Sequence, residues 1–203
     1  MSDWRFEKKI PLGSGDVHQI EALLLTHPMG LVTAYPARTV HNVYFDTPDL
    51  ACYNAHLAGH EARVKWRLRS YDGGPWKQLE EKRKLGDHGD KRFYPAQEAI
   101  QSLELQQGIL LNESLMYPVL ENTYHRRYFH APAWGIRVTI DTDIKFSAAG
   151  SQLWQTDYDY VAVVEVKYAL ESAKLGQDFL LHLPWRLGRF SKYVRGINLV
   201  ECL

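Results

Sequence analysis

Basic and apolar residues alternate through RVKWRLRSY, from Arg63 to Tyr71. Successive side chains of a β-strand point to opposite faces, so the basic residues would share one face and the apolar residues the other. The basic residues are Arg63, Lys65, Arg67 and Arg69, and the apolar ones are Val64, Trp66 and Leu68. Like charges on one face repel one another unless an anion lies against them. This stretch therefore predicts a strand whose basic face binds an anion.

The charge balance of the chain argues against a generally basic protein. Its 203 residues include 24 basic and 24 acidic ones, for a formal net charge of zero. We therefore expect no nucleic-acid partner, and an anion site must come from a local arrangement of charges. Because 45% of the residues are hydrophobic, the chain can bury a sizeable core, and we predict one domain over residues 1–203.

The cysteines and the N-terminus bear on the cellular compartment. Cys52 and Cys202 are far apart and fit neither a disulfide framework nor a CxxC metal site, so they are predicted to be reduced thiols. The N-terminal MSDWRFEKKI is charged from its start, and no run of about eighteen apolar residues follows. We expect a cytoplasmic protein that does not itself insert into a membrane.

Alternation recurs along the chain and predicts seven strands, with an eighth near Arg92 to Tyr94. The seven run from Trp4 to Ile10, Thr39 to Phe45, Arg63 to Tyr71, Lys77 to Lys84, Thr123 to His130, Ile136 to Asp143 and Tyr160 to Tyr168. Helices are predicted from Asp16 to Thr26, Ala96 to Gln107 and Ser172 to His182, and turns at GSG, DGG and GDHGD. The predicted fold class is α+β, mainly β: an antiparallel β-barrel of about eight strands with a few flanking helices.

Several predicted strands carry Lys or Arg on one face, and most of these faces also carry a carboxylate. These sets are Glu7 and Lys9; Glu80, Lys82 and Lys84; Tyr124, Arg126 and Tyr128; Arg137, Thr139 and Asp141; and Glu165 and Lys167. If these faces and the face of Lys65, Arg67 and Arg69 all point into one barrel, nine cations accompany four carboxylates, an excess of about five positive charges. Each like pair at 4 Å costs roughly 4 kcal/mol at an effective dielectric near 20. Such a tunnel requires a polyanion, and its carboxylates suit Mg²⁺ or Mn²⁺. The alternative is a set of half-exposed strands whose charged faces meet solvent.

Seven motifs in this order resemble the VTC domain, the polyphosphate polymerase branch of the triphosphate tunnel metalloenzymes, which also include CYTH proteins. They are WRFEKK, VYFDTPDL, RVKWRLRSY, LEEKRK, RVTIDTDI, VVEVKY and FSKYVRGI, and they extend from Arg5 to Ile197. The resemblance implies an antiparallel barrel around a basic tunnel that holds a triphosphate or polyphosphate with a divalent metal, Mn²⁺ or Mg²⁺. It also implies that Ser191 and Lys192 lie on a short helix near one tunnel mouth. Glu81 stands where the family usually has an apolar residue, and we expect it to face outward into solvent.

The charged faces and the resemblance together predict the site residues. Expected catalytic residues are Arg67, Arg69, Lys82, Arg126, Arg137 and Glu165; expected substrate-binding residues are Lys9, Lys65, Lys84, Tyr124, Lys167, Ser191 and Lys192; expected metal ligands are Glu165, Glu7 and Glu80.

The implied activity is metal-dependent phosphoryl transfer, and the most specific expectation is synthesis of inorganic polyphosphate from ATP. A triphosphatase or polyphosphatase would use the same tunnel residues, and a binding module that does not turn phosphate over is a further alternative. The metal carboxylates favour an enzyme, because phosphate binding alone needs only cations. Expected partners are ATP and inorganic polyphosphate or triphosphate, and any coupling to membrane transport would need a membrane partner protein.

Overall fold

The computed structural model describes residues 5–86 and 88–200, so Trp4 and Cys202 lie outside the described residues. Within these ranges the strands are β1 (Arg5–Leu12), β2 (Val32–Asp46), β3 (Ala62–Tyr71), β4 (Gln78–Leu85), β5 (His88–Tyr94), β6 (Ile109–Leu111), β7 (Ser114–Ala131), β8 (Ile136–Ala148), β9 (Gln155–Thr156) and β10 (Ala162–Ala169). The helices are α1 (Val17–Leu25), α2 (Ala51–Leu57), α3 (Gln97–Leu105), α4 (Ala173–Leu181) and α5 (Lys192–Val200), with 3-10 turns at Pro132–Trp134 and Leu170–Ser172.

Eight strands close into an antiparallel barrel, which confirms the predicted fold class. Their order is β7-β2-β3-β4-β5-β1-β10-β8, and β8 pairs back to β7 to complete the ring. The short strands β6 and β9 extend β7 and β8 outside this ring. Among the described residues, β1 and β5 share the shortest pairing in the ring, in which Arg5 pairs with Gly89 and Phe6 with His88.

The apolar faces of the barrel strands are covered from outside by helices. Helices α1 and α4 contribute Leu24 and Phe179 to a core with Val164 of β10. Helix α3 packs Ala99 against the core around Trp66 of β3. Because helices cover the apolar faces, the alternating charged faces of the same strands point into the barrel.

Local capping explains where some helices begin. Helix α1 begins after Asp16, whose side chain accepts a hydrogen bond from the His18 amide at 2.7 Å, as the sequence predicted. Helix α2 has no local signal of this kind: it follows Leu50, which has a left-handed φ of 55°, and has no side-chain cap at that residue. Its first amide, at Ala51, donates to Thr47 Oγ1 at 2.9 Å, and the next two, at Cys52 and Tyr53, donate to Asp46 at the end of β2. The sequence analysis therefore missed α2.

Two local predictions were wrong. The GDHGD segment is not simply a turn, because His88, Gly89 and Asp90 already belong to β5, which pairs with β4. Glu81 faces away from the barrel interior as expected but is only 2% exposed. Its carboxylate accepts hydrogen bonds from the Tyr94 hydroxyl at 2.8 Å and from the Asn112 amide at 3.0 Å, so neighbouring segments cover it.

Candidate active site: a basic cavity inside the barrel

The barrel encloses a cavity of about 930 Å³ whose walls are strongly basic. Thirteen of the described residues that line it are lysine or arginine, and only three are glutamate. The basic residues are Lys8, Lys9, Arg63, Lys65, Arg67, Arg69, Lys82, Lys84, Lys91, Arg126, Lys167, Arg189 and Lys192. Six barrel strands supply eleven of them, so the charged faces converge on one interior.

Strand register places like charges directly opposite one another on this wall. Arg63 of β3 is opposite Lys84 of β4, and Lys82 of β4 is opposite Lys91 of β5. Like charges at directly opposite positions destabilise a sheet. The wall is therefore arranged for an anionic ligand at a cost to the empty barrel.

Glu80 holds two arginines in place behind the cavity wall. Its carboxylate accepts from Arg67 Nε at 2.7 Å, and Arg67 Nη2 lies 2.5 Å from the same oxygen. Arg69 Nη1 and Lys91 Nζ lie 3.7 and 3.4 Å from the carboxylate. Burial alone would raise the pKa of Glu80, but Arg67 and then Arg69 outweigh it and hold this pKa well below its usual range. Glu80 therefore stays ionised as the counter-ion of both arginines. It orients Arg67 directly, whereas Arg69 donates its hydrogen bonds to Asn42 Oδ1 at 2.7 Å and to the Tyr124 hydroxyl at 3.3 Å.

Asp141 plays the same part on the opposite wall. Arg126 donates two hydrogen bonds to its carboxylate at 2.5 and 2.7 Å, and Lys192 donates a third at 2.5 Å. Burial would raise the pKa of Asp141, but Arg126 and Lys192 lower it to about 2. Lys192 Nζ also lies 4.4 Å from the centre of the Tyr124 ring. Both cations are thus fixed in orientation before any ligand arrives.

Burial in a cationic wall weakens the hold of lysines on their protons. Burial lowers the pKa of Lys9 to about 8, although Glu165 opposes this shift. Burial, with repulsion from Lys9 and Lys82, lowers the pKa of Lys65 well below its ordinary value. A bound anion would reverse this repulsion and favour the protonated amines.

The segment that begins α5 closes one side of the cavity. Lys9 Nζ donates to the Phe190 carbonyl oxygen at 2.8 Å, and Lys65 Nζ donates to Ser191 Oγ at 2.7 Å. Tyr193 of α5 donates its hydroxyl hydrogen bond to Asp46, the carboxylate that also caps α2. Asp46 therefore ties α2 and α5 to the end of β2.

Two carboxylates on adjacent strands face the cavity and suit a divalent metal. The β1–β10 register sets Glu7 opposite Lys167 and Lys9 opposite Glu165, so both glutamates lie on the inward face. Burial would raise the pKa of each carboxylate. For Glu7 the charge of Lys82 nevertheless lowers the pKa to about 2, and for Glu165 the charges of Lys167 and Lys9 hold the pKa well below its usual range. Mg²⁺ is commonly held by one or two carboxylates together with substrate phosphate oxygens, and this pair fits that pattern.

No cluster of three or more metal-binding side chains forms within residues 5–86 and 88–200. Glu80, predicted as a third ligand, is instead occupied by Arg67, Arg69 and Lys91. Glu7 and Glu165 also form ion pairs, with Lys82 at 2.5 Å and with Lys167 at 3.1 Å, but unlike Glu80 they line the described cavity. They are therefore the better placed carboxylates for a metal, and the metal roles of all three glutamates stay predictions.

Arg137 does not lie where the sequence analysis put it. Arg137 lies opposite Lys167 of β10, at a position of β8 whose alternation points inward as expected. It is the second residue of the strand, however, and it is exposed. Its neighbour Lys167 lines the described cavity, but Arg137 itself does not. The other predicted basic residues, with Tyr124, Ser191, Glu7 and Glu165, all line the cavity, and their individual roles stay predictions.

The structure adds cavity residues that the sequence analysis left out of the site. Lys91 has the alternation signal, but the segment before it was interpreted as a turn. His56 and Arg189 lie on the missed helix α2 and on the segment before α5, where no strand alternation applies. Arg63 is the first basic residue of the alternating pattern in β3, but the predicted site residues began at Lys65.

Comparisons with known proteins agree with this architecture. The VTC domain family profile matches residues 4–201. Among solved structures, a candidate adenylate cyclase from Vibrio parahaemolyticus superposes with a TM-score of 0.58 at 11% identity, over 96% of this chain and 98% of that one. A candidate adenylyl cyclase from Hippeastrum, described as having a dominant triphosphatase activity, superposes with a TM-score of 0.52 at 14% identity, over 97% and 96%. At these identities the likeness shows a shared fold. No curated protein sequence matches this chain.

Proposed function

This chain belongs to the VTC domain family, and from that premise we propose that it transfers phosphoryl groups on a triphosphate or polyphosphate bound in the basic cavity. One observation carries the proposal: thirteen basic side chains and three glutamates line one enclosed space. A phosphate chain carries charge along its whole length, and a row of inward cations matches that distribution.

The specific reaction we propose is polyphosphate synthesis from ATP. The terminal oxygen of a phosphate chain attacks the γ-phosphorus of ATP, a new P–O bond forms, and the bond to the β-phosphate oxygen breaks. The products are ADP and a chain longer by one phosphate. The attacking phosphate oxygen is already anionic, so this reaction needs no general base. Catalysis then consists of positioning and of stabilising the developing charge.

The fixed cations suit this task. Arg67 is held by Glu80 and Arg126 by Asp141, so their guanidinium groups need little reorganisation when charge develops on the phosphate oxygens. Glu165 and Glu7 would hold Mn²⁺ or Mg²⁺, which supplies further neutralisation of phosphate charge. Lys9 and Lys65, whose pKa values burial lowers, would become fully protonated beside the polyanion.

A triphosphatase is the second candidate function. The Hippeastrum protein of the same fold is described as having a dominant triphosphatase activity, which favours this alternative. In that case water replaces the phosphate chain as acceptor, and free phosphate is the product. A module that binds phosphate chains without chemistry is a third candidate.

Product analysis separates the three candidates. The purified protein is incubated with ATP and Mn²⁺ or Mg²⁺, and polymer, ADP and free phosphate are measured in parallel. Polymer with equimolar ADP supports the proposed polymerase, and free phosphate without polymer supports the hydrolase. If tripolyphosphate binds but no ATP is consumed, the enzyme proposal is rejected in favour of a binding module.

The location of the protein and its partners are questions separate from its ligands. No helix within the described part of the chain is long and apolar enough to cross a bilayer. We propose ATP and a linear phosphate chain as the ligands of the cavity. A link to membrane transport through a partner protein, and a cytoplasmic location, stay predictions from the sequence.

A further inference from the structure

Two polar atoms at the α2 side of the cavity are buried without a hydrogen-bond partner among the described residues. They are Nδ1 of His56, in the last turn of α2, and Nε of Arg63, near the start of β3. Both residues line the cavity. A buried polar group without a partner costs roughly 1 to 3 kcal/mol, so two of them in one wall indicate a place built for a polar ligand.

The surroundings of these atoms define the charge of that ligand. The charged groups that act on His56 are Lys65 and Arg63 on β3, Lys9 on β1 and Lys84 on β4. Burial and then these four cations lower the pKa of His56 to about 3, so its imidazole is neutral at neutral pH. A neutral ring can donate one hydrogen bond, and Arg63 adds a charged donor. A metal cation is excluded by the same four positive charges, so the matching ligand is an anion.

The basic row extends further than one triphosphate. From Arg63 to Arg69, β3 spans roughly 20 Å at about 3.3 Å per residue. At the Arg69 end, Glu80 orients the guanidinium group of Arg67, and Asn42 and Tyr124 accept hydrogen bonds from Arg69. At the Arg63 end, the facing residue is Lys84, which adds a further cation. A triphosphate bound at the Glu80 end leaves the Arg63 end of the row uncovered.

We propose that His56 and Arg63 form an additional phosphate subsite at the α2 side of the cavity, which binds a phosphate group of a linear chain longer than a triphosphate. This subsite presupposes the proposed function, because it requires a phosphate chain in the cavity. His56 and Arg63 donate hydrogen bonds to its non-bridging oxygens, while Lys65 and Lys84 neutralise its charge. The subsite makes linear polyphosphate, rather than a triphosphate alone, the preferred ligand of the cavity.

Binding without metal tests the subsite directly, since no turnover then intervenes. The full chain is titrated in EDTA with tripolyphosphate and with a linear polyphosphate long enough to span the basic row. The variants His56→Leu and Arg63→Gln remove one donor each while keeping much of the side-chain volume. His60→Gln, at an exposed position just beyond α2, is the matched control. Melting curves establish that each variant is folded.

We expect the wild type to bind the longer chain more tightly than tripolyphosphate. Each subsite variant should weaken binding of the longer chain by about tenfold, as expected for loss of one hydrogen bond to a charged group, and leave tripolyphosphate within about twofold. His60→Gln should change neither affinity. Equal loss for both ligands, or no loss for either, would overturn the subsite while leaving the proposed function in place. If the wild type binds neither ligand, the proposed function fails and the subsite with it.

The His56 ring provides a second and independent readout. A phosphate group at this place opposes the field of the four cations, so the pKa of His56 should rise when the subsite is filled. In ¹⁵N spectra, a pH titration should give a higher pKa for His56 with the longer chain than with tripolyphosphate. The signal is assigned from its absence in His56→Leu. The same His56 pKa and the same ring shifts with both ligands would overturn the subsite.

Discussion

Lys65 of β3 lies directly opposite Lys82 of β4 on the inner wall of the barrel. Lys82 forms an ion pair with Glu7 at 2.5 Å, but Lys65 has only the Ser191 hydroxyl as its hydrogen-bond partner within the described residues. Two ammonium groups at opposite positions of a sheet are unfavourable unless an anion lies between them. The empty cavity is therefore less stable than the filled one, and several measurable consequences follow from this difference.

Tripolyphosphate is expected to raise the melting temperature. At a free concentration a hundredfold above Kd, binding adds roughly 2.7 kcal/mol to the free energy of unfolding. For a domain of this size that corresponds to about 5 to 10 °C. Thermal melts with and without millimolar tripolyphosphate, at low and moderate salt, measure the shift. An unchanged melting temperature at both salt concentrations would rule out a polyphosphate cavity.

The ligand-free protein should become more stable as the pH rises from about 8 to 9. Burial lowers the pKa of Lys9 from 10.5 to about 8, so in this window the unfolded chain holds protons that the folded protein has released. The free energy of unfolding then increases with pH, by at most about 1.4 kcal/mol per pH unit for one proton. Burial raises the pKa of Cys52 from 9.0 to about 12, which acts in the opposite direction above pH 9 and closes the window.

Lys9→Met isolates the contribution of this lysine. The variant loses the hydrogen bond to the Phe190 carbonyl at every pH, but the increase in stability between pH 8 and 9 should become smaller. Urea denaturation at pH 7, 8 and 9 gives the slope. Lys145→Met, at an exposed position on β8, should keep the wild-type slope. Equal slopes for wild type and Lys9→Met would contradict the depressed pKa of Lys9.

Glu165→Gln is expected to separate chemistry from binding. If Glu165 holds the metal, turnover of ATP should fall by about 10² or more, equivalent to roughly 2.7 kcal/mol at the transition state. Metal-free binding of tripolyphosphate should persist or tighten, because one negative charge has left an anion site. Steady-state kinetics and titration in EDTA measure the two effects, with Glu98→Gln at an exposed position on α3, outside the described cavity wall, as control. Intact metal-dependent turnover would remove Glu165 from the metal site.

Glu80→Gln should act on stability instead. Removing this charge leaves Arg67, Arg69 and Lys91 without their shared counter-ion in a buried setting. Loss of one partner from a buried ion pair costs roughly 3 to 5 kcal/mol, which urea denaturation detects. The affinity for Mn²⁺ should stay as in the wild type. A variant of normal stability with weakened Mn²⁺ binding would restore Glu80 as the metal ligand that the sequence predicted.

Two arginine variants test whether the residues that bind phosphate are those that line the cavity or all those that the sequence pattern predicted. Arg67→Ala removes a cation from the cavity wall, so both tripolyphosphate affinity and turnover should decrease. Arg137→Gln removes the same charge from an exposed position outside the wall, so both should stay close to the wild type. Calorimetric titration and kinetics compare the two. A large loss of affinity in Arg137→Gln would extend the binding site beyond the cavity.

Strand alternation alone predicted most of the barrel and of its basic interior. The two-residue period is a local property of an extended backbone, so RVKWRLRSY specifies which side chains share a face without knowledge of the partner strands. The same alternation of charged and apolar residues recurs in several strands, and this recurrence predicted that their charged faces line one barrel interior. The capping residue Asp16 was visible for the same reason, because its hydrogen bond reaches only to His18.

The tertiary structure alone decided what each of these faces meets. Glu80 and Glu81 are neighbours on β4, yet Glu80 is paired with arginines behind the cavity wall and Glu81 with Tyr94 and Asn112 on the outer side. Arg137 lies beside the wall residue Lys167 but is exposed and does not line the described cavity. His56 reaches the cavity because Asp46, on another element, caps its helix. A local period determines the direction of a side chain, whereas its burial and its charge partners depend on segments that are distant in sequence and meet only in the folded barrel.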